Sequence, residues 1–579
     1  MKSKRRLRVS LFVLLVIGLG ILLTSSPSFS ISENSNPLKW PDMILFNGKV
    51  VTADKHFDIH EAVAIRDGMF MAIGKNKHIQ GLAGATTKMI DLKGKTVLPG
   101  LIDSHCHFEA LGSLSLVIDF STAKTVADAL ALIKAWADKT KPDVWIVGGG
   151  WHPPSQLQEQ RYLTRWEIDS VAPNNPVYLP TVGHFAMANS YALRLAGITK
   201  DTPNPPGGII DKDPVTGEPN GILEEKAINL VSSLVPPYSF DQKVAQRKAA
   251  MAAYNAWGFT SLVLGSANRQ SFEAYLPIWA AKEMTLRVGI MYAPADTNSP
   301  YDVYENAIKD AVPLQTFGDE WLKIAGIKMV MDGGMTLRTA YVRDPYPDDP
   351  NYYGFPVLTP ERLNTLVSIA NRYGFRVGIH AVGDRAIDVV LDAYENASKE
   401  NSIVGRRFII IHGSLMQPDQ MIRARNLGVR VDIQSVFMWD KAATVKRFMG
   451  EERANRACPQ SWCIDIIGMG SCGAGSDYSV NTFNPFINMY IATTRKDPNG
   501  VVYGGDLAIT REEAIRLYTN GSAHYTFDED VKGSIEVGKL ADLAVISDDI
   551  LTCPEESIKN IKALMTIVDG KIVYQDPGF

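Results

Sequence analysis

Short apolar runs recur through the middle of the chain, separated by stretches whose apolar residues follow helical spacing. Strands of a parallel sheet are buried on both faces and have such continuous apolar sequences. The repeated order of strand and helix predicts an α/β fold with a (β/α)8 TIM barrel, whose active site would lie at the C-terminal strand ends. The predicted strands are Val97–His105, Gly258–Leu264, Leu286–Met291, Leu322–Met331, Arg376–Ala381, Arg407–His412, Arg430–Gln434 and Ser471–Asp477.

Both ends of the chain have a different pattern, in which short strand-like runs are separated by hairpin turns. Asn47 with Gly48, and Asp569 with Gly570, are pairs that favour such turns. We expect one small β-sandwich from residues 31–97 and 528–579, with residues 31–41 as a linker and the barrel over residues 98–527. Residues from about 120 to 245 do not fit one strand-helix step, so we expect an insertion over the barrel mouth.

The N-terminus has the order of a secretory signal: basic residues, an apolar run from Val9 to Leu23, and the small-residue stretch TSSPSFS. The apolar run is short for a membrane span. We therefore expect residues 1–30 to be a signal peptide and the protein to be exported, periplasmic or extracellular. The alternative is an uncleaved N-terminal anchor, which would be the protein's only membrane contact.

Composition and charge change this picture little. The 579 residues are 46% hydrophobic and 21% charged, and the net charge of −4 gives no reason to expect nucleic acid as a partner. Five cysteines are too few for a disulfide scaffold. Cys458 and Cys463 are close enough in sequence to form one disulfide bond. Cys106 lies between two histidines on a strand and must face away from them, so we expect it to pack in the core.

Polar side chains end several of the predicted strands. His105 and His107 end the first strand, where residues two apart point to the same face. Alone, such a pair is often an ordinary surface or core feature, but other strands end in the same way. Nitrogen and oxygen donors that converge on one mouth suit a hydrolytic divalent metal. The further residues placed there are Lys328, His380, His412 and Asp477.

Lys328 lies inside an apolar run, where a charged amine is costly unless it is paired. As a neutral amine it could react with CO2 to form a carbamate, an anion able to bridge two metal ions about 4 Å apart. The alternative is a salt bridge with Asp332 or Asp477.

As an ordered set, the motifs PGLIDSHCHF, IKMVMDGG, HAVGDRA, IIHGS, GSDYSV and GSIEVGKLADLAV resemble the amidohydrolase superfamily. The branch they resemble most contains N-substituted formamide deformylases, and the resemblance covers the chain from about residue 42 onwards. It implies a barrel with a β-sandwich and a site for one or two divalent metal ions, usually zinc. The implied ligands are His105, His107, carboxylated Lys328, His380, His412 and Asp477.

The resemblance also implies metal-assisted hydrolysis of a small amide-type substrate. The metal would lower the pKa of water to about 7, and Asp477 would take its proton and pass it to the leaving nitrogen. The metal, with His184 or Arg338, would polarise the substrate carbonyl. The residues expected to contact substrate are His184, Trp151, His152, Arg338 and Asp332.

The seventh predicted strand departs from the branch. Many relatives carry Gln-Pro and a nearby histidine there, whereas this chain has Gln434 followed by Ser435. The ligands are unaffected, but the substrate preference is not fixed by the resemblance. The alternatives are a mononuclear deaminase or N-acyl amino acid hydrolase, and an inactive barrel that binds a small molecule. The sequence also allows a homodimer.

Overall fold

The computed structural model describes residues 40–579, apart from residues 114–115, 150, 152, 182–184 and 206–207. Pro41–Phe579 form one compact unit. Within the described chain, no helix is both long and apolar enough to span a bilayer. The expected signal peptide, residues 1–30, lies outside the described residues, as do His152 and His184.

Eight parallel strands in the described part of the chain form a sheet whose spatial order follows the chain. The ring nearly closes where strand 8 meets strand 1, because Ser104 N donates to Ala474 O at 3.5 Å and Asp477 N donates to His105 O at 2.8 Å. The predicted barrel is therefore confirmed. Barrel strands 1 to 8 are Leu101–Cys106, Phe259–Ala267, Arg287–Tyr292, Leu322–Val330, Val377–Ala381, Ile409–His412, Arg430–Asp432 and Cys472–Gly473.

Helices connect most of the barrel strands. Pro360–Arg372 illustrates why they form: Thr359 accepts a hydrogen bond from Arg362 N as the N-cap, proline opens the first turn, and the buried residues recur at helical spacing. The helices of eight or more residues in this part of the described chain are Phe240–Asn255, Tyr301–Ala311, Pro360–Arg372, Asp384–Glu400, Pro418–Leu427, Ala442–Met449 and Pro485–Thr494. Shorter ones include Glu109–Ser113, Arg269–Glu273, Leu276–Ala280, Phe437–Asp440, Glu451–Arg456 and Arg511–Arg516.

Both chain ends contribute strands to one sheet, because Thr96–Pro99 pairs antiparallel with Leu543–Ile546. This sheet contains, in spatial order, Lys571–Gln575, Ala563–Val568, Leu543–Ile546, Thr96–Pro99, Lys49–Val51 and Ile59–His60. A second sheet contains Met69–Gly74, Ala62–Arg66, Met43–Phe46 and Lys88–Asp91. Apolar residues of the two sheets share one cluster, which includes Leu45 and Leu543. A separate β-sandwich domain stays a prediction.

The predicted strand Val97–His105 is wrong as a single strand, because Gly100 divides it between two sheets. Gly100 N donates to Asp542 O at 2.9 Å, whereas Leu101 N donates to Gly258 O at 3.0 Å in the barrel. A Cβ atom at Gly100 would lie 2.1 Å from Thr260 Oγ1. The chain therefore passes from the terminal sheet into the barrel at a position where only glycine fits.

The segment between barrel strands 1 and 2 has its own sheet and apolar core, which includes Ile133, Trp151 and Leu179. Its described strands, in spatial order, are Gly208–Lys212, Pro219–Glu225, Phe185–Ala188, Val177–Pro180, Ile146–Gly149 and Ile118–Asp119. Its longer helices are Val126–Ala137, Arg165–Val171 and Ser190–Leu195. The chain returns to the barrel through Phe240–Asn255.

The disulfide bond that the sequence allowed between Cys458 and Cys463 does not form. Cys463 is bonded to Cys472 on barrel strand 8, and Cys458 is a buried free thiol. Cys458 N donates to Ser414 O at 2.7 Å, so its backbone is held beside the segment after strand 6. The disulfide partner of Cys463 is therefore set by the position of barrel strand 8, which carries Cys472, and not by closeness in the sequence.

Candidate active site

The barrel collects the predicted ligands at one end. His105, Lys328, His380 and His412 lie at or near the C-terminal ends of barrel strands 1, 4, 5 and 6, and Asp477 follows strand 8. The C-terminal ends of parallel barrel strands meet at one mouth. These five residues, predicted from their positions on five different strands, are thus placed at the same end of the barrel.

Asp477 lies beside two of the histidines, with its Oδ1 atom 3.6 Å from Nε2 of both His105 and His107. The ring centroids of His105 and His412 are 5.2 Å apart, and those of His380 and His412 are 4.4 Å apart. Four imidazole rings and one carboxylate therefore share a small volume.

The donors in this volume fit a divalent metal ion. His105, His412 and Asp477 each offer one ligand atom, and these atoms lie within 4.8 Å of one another. His105 is 1% exposed, and neither of its ring nitrogens has a hydrogen-bond partner among the described residues. Burying such groups without partners is costly, and a metal ion would satisfy them. Nitrogen and carboxylate donors are ligands that zinc and related metals accept.

The electrostatic surroundings keep the histidines in the neutral form that binds metals. Burial, assisted by the nearby Lys328, lowers the pKa of His107 to about 4 and that of His380 to about 3. Burial also lowers the pKa values of His105 and His412 far below the ordinary histidine value. At neutral pH, all four rings therefore have lone pairs available as ligands.

Lys328 is 8% exposed, and burial lowers its pKa to about 8. Asp477 and Asp432 are the carboxylates that oppose this shift, although neither forms a direct ion pair with Lys328 among the described contacts. Asp332 has other partners: it accepts hydrogen bonds from three backbone N–H groups at 2.9 Å and lies 3.8 Å from His380 Nε2. The described contacts include no salt bridge between Lys328 and Asp332, so that alternative is wrong.

Residues 88–574 match the family model described as "Amidohydrolase family", which covers most of the chain. The chain belongs to the amidohydrolase family. The enzyme predicted from the sequence, a metal-dependent hydrolase acting on carbon–nitrogen bonds, is therefore confirmed at the level of the family.

Three relatives show how this amidohydrolase compares with known proteins. It is 30% identical to "Putative amidohydrolase YtcJ" of Bacillus subtilis, over 92% of this chain and 99% of that protein. It is 29% identical to "N-substituted formamide deformylase" of Arthrobacter pascens, over 93% and 99%. The crystal structure of an uncharacterized metal-dependent hydrolase from Pyrococcus furiosus superposes with a TM-score of 0.70 at 26% identity, covering 88% of this chain and all of that chain.

In this amidohydrolase, one residue outside the ligand set holds a ligand in place. Gln434 Oε1 lies 2.7 Å from His412 Nδ1, and Gln434 Nε2 donates to Asp432 O at 3.3 Å. When Nδ1–H donates to Oε1, the lone pair of His412 lies on Nε2, where a metal could use it. Sequence reasoning noted Gln434 only as part of a departure from relatives and missed this role.

Sequence reasoning also missed the part played by two buried carboxylates near the histidines. Asp103 accepts the Ser476 hydroxyl at 2.6 Å and Ser476 N at 2.9 Å, which ties strand 1 to the residue before Asp477. Asp432 accepts the Ser104 hydroxyl at 2.6 Å. Burial raises the pKa of Asp103 to about 6 and that of Asp432 to about 7. An acidic residue before a ligand in the PGLIDSHCHF motif was the available signal for Asp103.

The residues expected to contact substrate are not all placed together. Trp151 is buried in the core of the insertion, where it stacks on Phe120 with ring centroids 3.9 Å apart. Arg338 Nη2 pairs with Asp348 Oδ1 at 3.0 Å. Asp332 lies behind His380, as described above. Their contacts with substrate stay predictions, as do those of His152 and His184.

Proposed function

We propose that this amidohydrolase hydrolyses the non-peptide C–N bond of a small amide, with N-substituted formamides as the first substrate class. The observation that carries the proposal is the cluster of His105, His412 and Asp477, in which neither ring nitrogen of the buried His105 has a hydrogen-bond partner among the described residues. The substrate class is supported by the similarity to a formamide deformylase over most of both chains.

The proposed reaction adds water to the amide carbonyl and breaks the C–N bond, giving a carboxylate and an amine. A divalent metal, which we propose to be zinc as one or two ions, would polarise the carbonyl and acidify water. His105, His107, His380 and His412 would hold that metal as neutral rings. Asp477 would take a proton from water and deliver it to the leaving nitrogen. Trp151, His152, His184, Arg338 and Asp332 would contact the substrate.

Two states of Lys328 give two versions of the site. Its neutral amine would react with CO2 to give a carbamate and a proton, and the carbamate would support a second metal. Deep burial and the absence of a direct carboxylate partner among its described neighbours favour this version. The nearby charges of Asp477 and Asp432 favour an unmodified ammonium and one metal, as in a mononuclear deaminase or N-acyl amino acid hydrolase.

We further propose export through residues 1–30, because their basic, apolar and small-residue order is typical of a secretory signal. The strand pairing between the two chain ends supports a β-sandwich as part of the architecture. A homodimer is part of the same proposal.

The role of Asp477 is tested by Asp477→Asn, which preserves shape but removes the proton acceptor. We expect the rate of formate release from an N-substituted formamide to fall by about 100-fold or more, because proton transfer contributes that much. Asp310→Asn, on the exposed face of Tyr301–Ala311, is the matched control and should leave the rate unchanged. A folded Asp477→Asn variant within twofold of wild type would exclude the proton-transfer role.

Metal content decides between the two versions of Lys328. Elemental mass spectrometry on protein purified without chelators should give about two metal ions per chain if Lys328 is carboxylated. Lys328→Ala should then hold one fewer ion. Unchanged metal content in that variant would favour the mononuclear site.

A metal-loaded enzyme that hydrolyses other amides but no formamide would show that the proposed substrate class is wrong and the proposed reaction type is right.

A further inference from the structure

A cavity lies at the opposite end of the barrel from the candidate active site. Its volume is about 500 Å³, and it is lined by the first residues of barrel strand 4 and the residues just before strands 5 and 6. Lys323 in its wall precedes Lys328 by five residues, which is about 16 Å along an extended strand. We call it the basal cavity; the residues used below are Asp319, Lys323, Arg376, Gly405, Arg406 and Phe527.

The basal cavity carries more positive than negative charge. Lys323, Arg376 and Arg406 line it, and Asp319 is the one carboxylate among its lining residues. Asp528 lies behind the wall but is shared, because it pairs with Lys323 at 2.6 Å and with Lys532 at 3.0 Å. Asp528 is therefore already used by other cations, and the lining carboxylate Asp319 accepts hydrogen bonds from Trp279 Nε1 and from the Trp321 N–H.

Arg376 is the most deeply buried of the three lining cations, and it forms no ion pair among the described contacts. Its side chain is buried, with 5% of the residue exposed. Nε donates to Ala325 O at 2.6 Å and Nη2 donates to Tyr525 O, whereas Nη1 has no hydrogen-bond partner among the described residues. Its described partners include no carboxylate. Asp528 attracts the charge of Arg376 but forms no ion pair with it among the described contacts, so an anion bound near Nη1 would stabilise the buried guanidinium.

The wall of the cavity also suits a small organic anion. Phe527 is half-exposed, and the guanidinium groups of Arg376 and Arg407 lie over its ring at 4.9 Å and 4.4 Å from the centroid. Gly405 leaves open space, because no atom lies within 4 Å of where its Cβ would be. The ring of Phe527 next to the buried Arg376 guanidinium gives both apolar contact and charge, whereas the Arg407 guanidinium is partly exposed and already pairs with Glu529.

We propose that the basal cavity binds a phosphate-type oxyanion, either free phosphate or the phosphate group of a small molecule, with Arg376 as its counter-ion. Guanidinium groups present paired N–H donors that match phosphate oxygens. The site is separate from the catalytic mouth and does not depend on which reaction takes place there.

Isothermal titration calorimetry with inorganic phosphate and with phenyl phosphate, at constant ionic strength, tests this proposal on the full chain. Each titration is made with metal-loaded and with chelator-treated protein, because phosphate also binds metal sites. We expect binding that persists without metal and weakens at least about tenfold in Arg376→Met. Tighter binding of phenyl phosphate would indicate a phosphorylated small molecule, and equal binding would indicate free phosphate.

Two further variants keep the test decisive. Arg269→Met removes an exposed arginine far from the cavity in sequence and should leave phosphate binding unchanged. Phe527→Glu places a negative charge at a half-exposed position beside Arg376 and Arg407, and should weaken binding at least about tenfold even if Arg376→Met fails to fold. Binding that is absent in wild type, or that disappears with the metal and is unaffected by Phe527→Glu, would overturn the proposal.

Discussion

At the scale of single residues, the contact between Gln434 and His412 shows how a neighbour controls a ligand. Replacing Gln434 by Met keeps the side-chain length but removes the acceptor for His412 Nδ1–H. We expect metal affinity to fall about 10–100-fold, because such partners fix the tautomer and orientation of a histidine ligand. Competition with a chromophoric chelator measures the change. Gln270→Met, at an exposed position, is the control, and equal affinities in the two variants would contradict the role of Gln434.

The ligands of the candidate site could be predicted from the sequence, whereas the residue that orients His412 could not. His105, His107, His412 and Asp477 were identified because each ends an apolar run or follows one, so their place in the barrel follows from the chain itself. The role of Gln434 could not be predicted in this way. It arises from a contact across two neighbouring strands, 22 residues apart, and nothing in the local sequence specifies it.

At the scale of elements, the disulfide bond between Cys463 and Cys472 ties the turn Cys463–Ile467 to barrel strand 8, five residues before Asp477. The cysteines are nine residues apart, and closing a loop of that size stabilises a protein by about 2–3 kcal/mol in the chain-entropy model. We expect the double variant Cys463→Ser, Cys472→Ser to lose about that much free energy of unfolding. Denaturant titration under oxidising conditions measures it.

The control for this prediction is Cys553→Ser, which changes a partly exposed free cysteine. Its stability should match wild type, and reduced wild-type protein should match the double variant. A double variant as stable as the oxidised wild type would show that the bond does not stabilise strand 8.

The elements also show where sequence patterns stop being sufficient. Barrel strands 5 and 6 lie within their predicted bounds because each is an isolated apolar run between polar segments. The prediction for strand 1 began too early because the apolar run continues across Gly100. Only the hydrogen-bond partners of the backbone separate Thr96–Pro99, in the terminal sheet, from Leu101–Cys106, in the barrel. Those partners, Asp542 on one side and Gly258 on the other, are distant in the sequence.

At the scale of the whole molecule, the C-terminal strands pack on the end of the barrel opposite the catalytic mouth. Ala544 and Ala563 lie beside Gly258, just before barrel strand 2. The Thr566 hydroxyl donates to Asn255 O at 2.6 Å. The contacts between the barrel and the C-terminal strands are therefore separated from the residues that would perform the chemistry, as is usual in barrel enzymes.

The ion pair between Arg287 and Asp542 is part of this contact. Arg287 is fully buried at the start of barrel strand 3, and its Nε and Nη2 donate to Asp542 at 2.7 Å and 3.0 Å. We expect Arg287→Met or Asp542→Leu alone to lower the free energy of unfolding by about 3–5 kcal/mol, since each removes the hydrogen-bonded partner of a buried charge. Without Asp542, Arg287 keeps only the more distant carboxylates of Glu320 and Asp569, both at 3.9 Å. The double variant should lose clearly less than the sum of the two.

Denaturant unfolding of the four proteins gives the coupling energy of this pair directly. The exposed pair of Lys134 and Asp138, treated in the same way, should show little coupling because water screens it. Hydrolytic turnover per folded molecule should stay unchanged in all four proteins, since Arg287 and Asp542 lie at the end of the barrel away from Asp477. If the losses of unfolding free energy in the single variants simply add in the double variant, the pair does not couple the barrel to the C-terminal strands. If turnover falls while the protein stays folded, the two ends of the barrel are not independent.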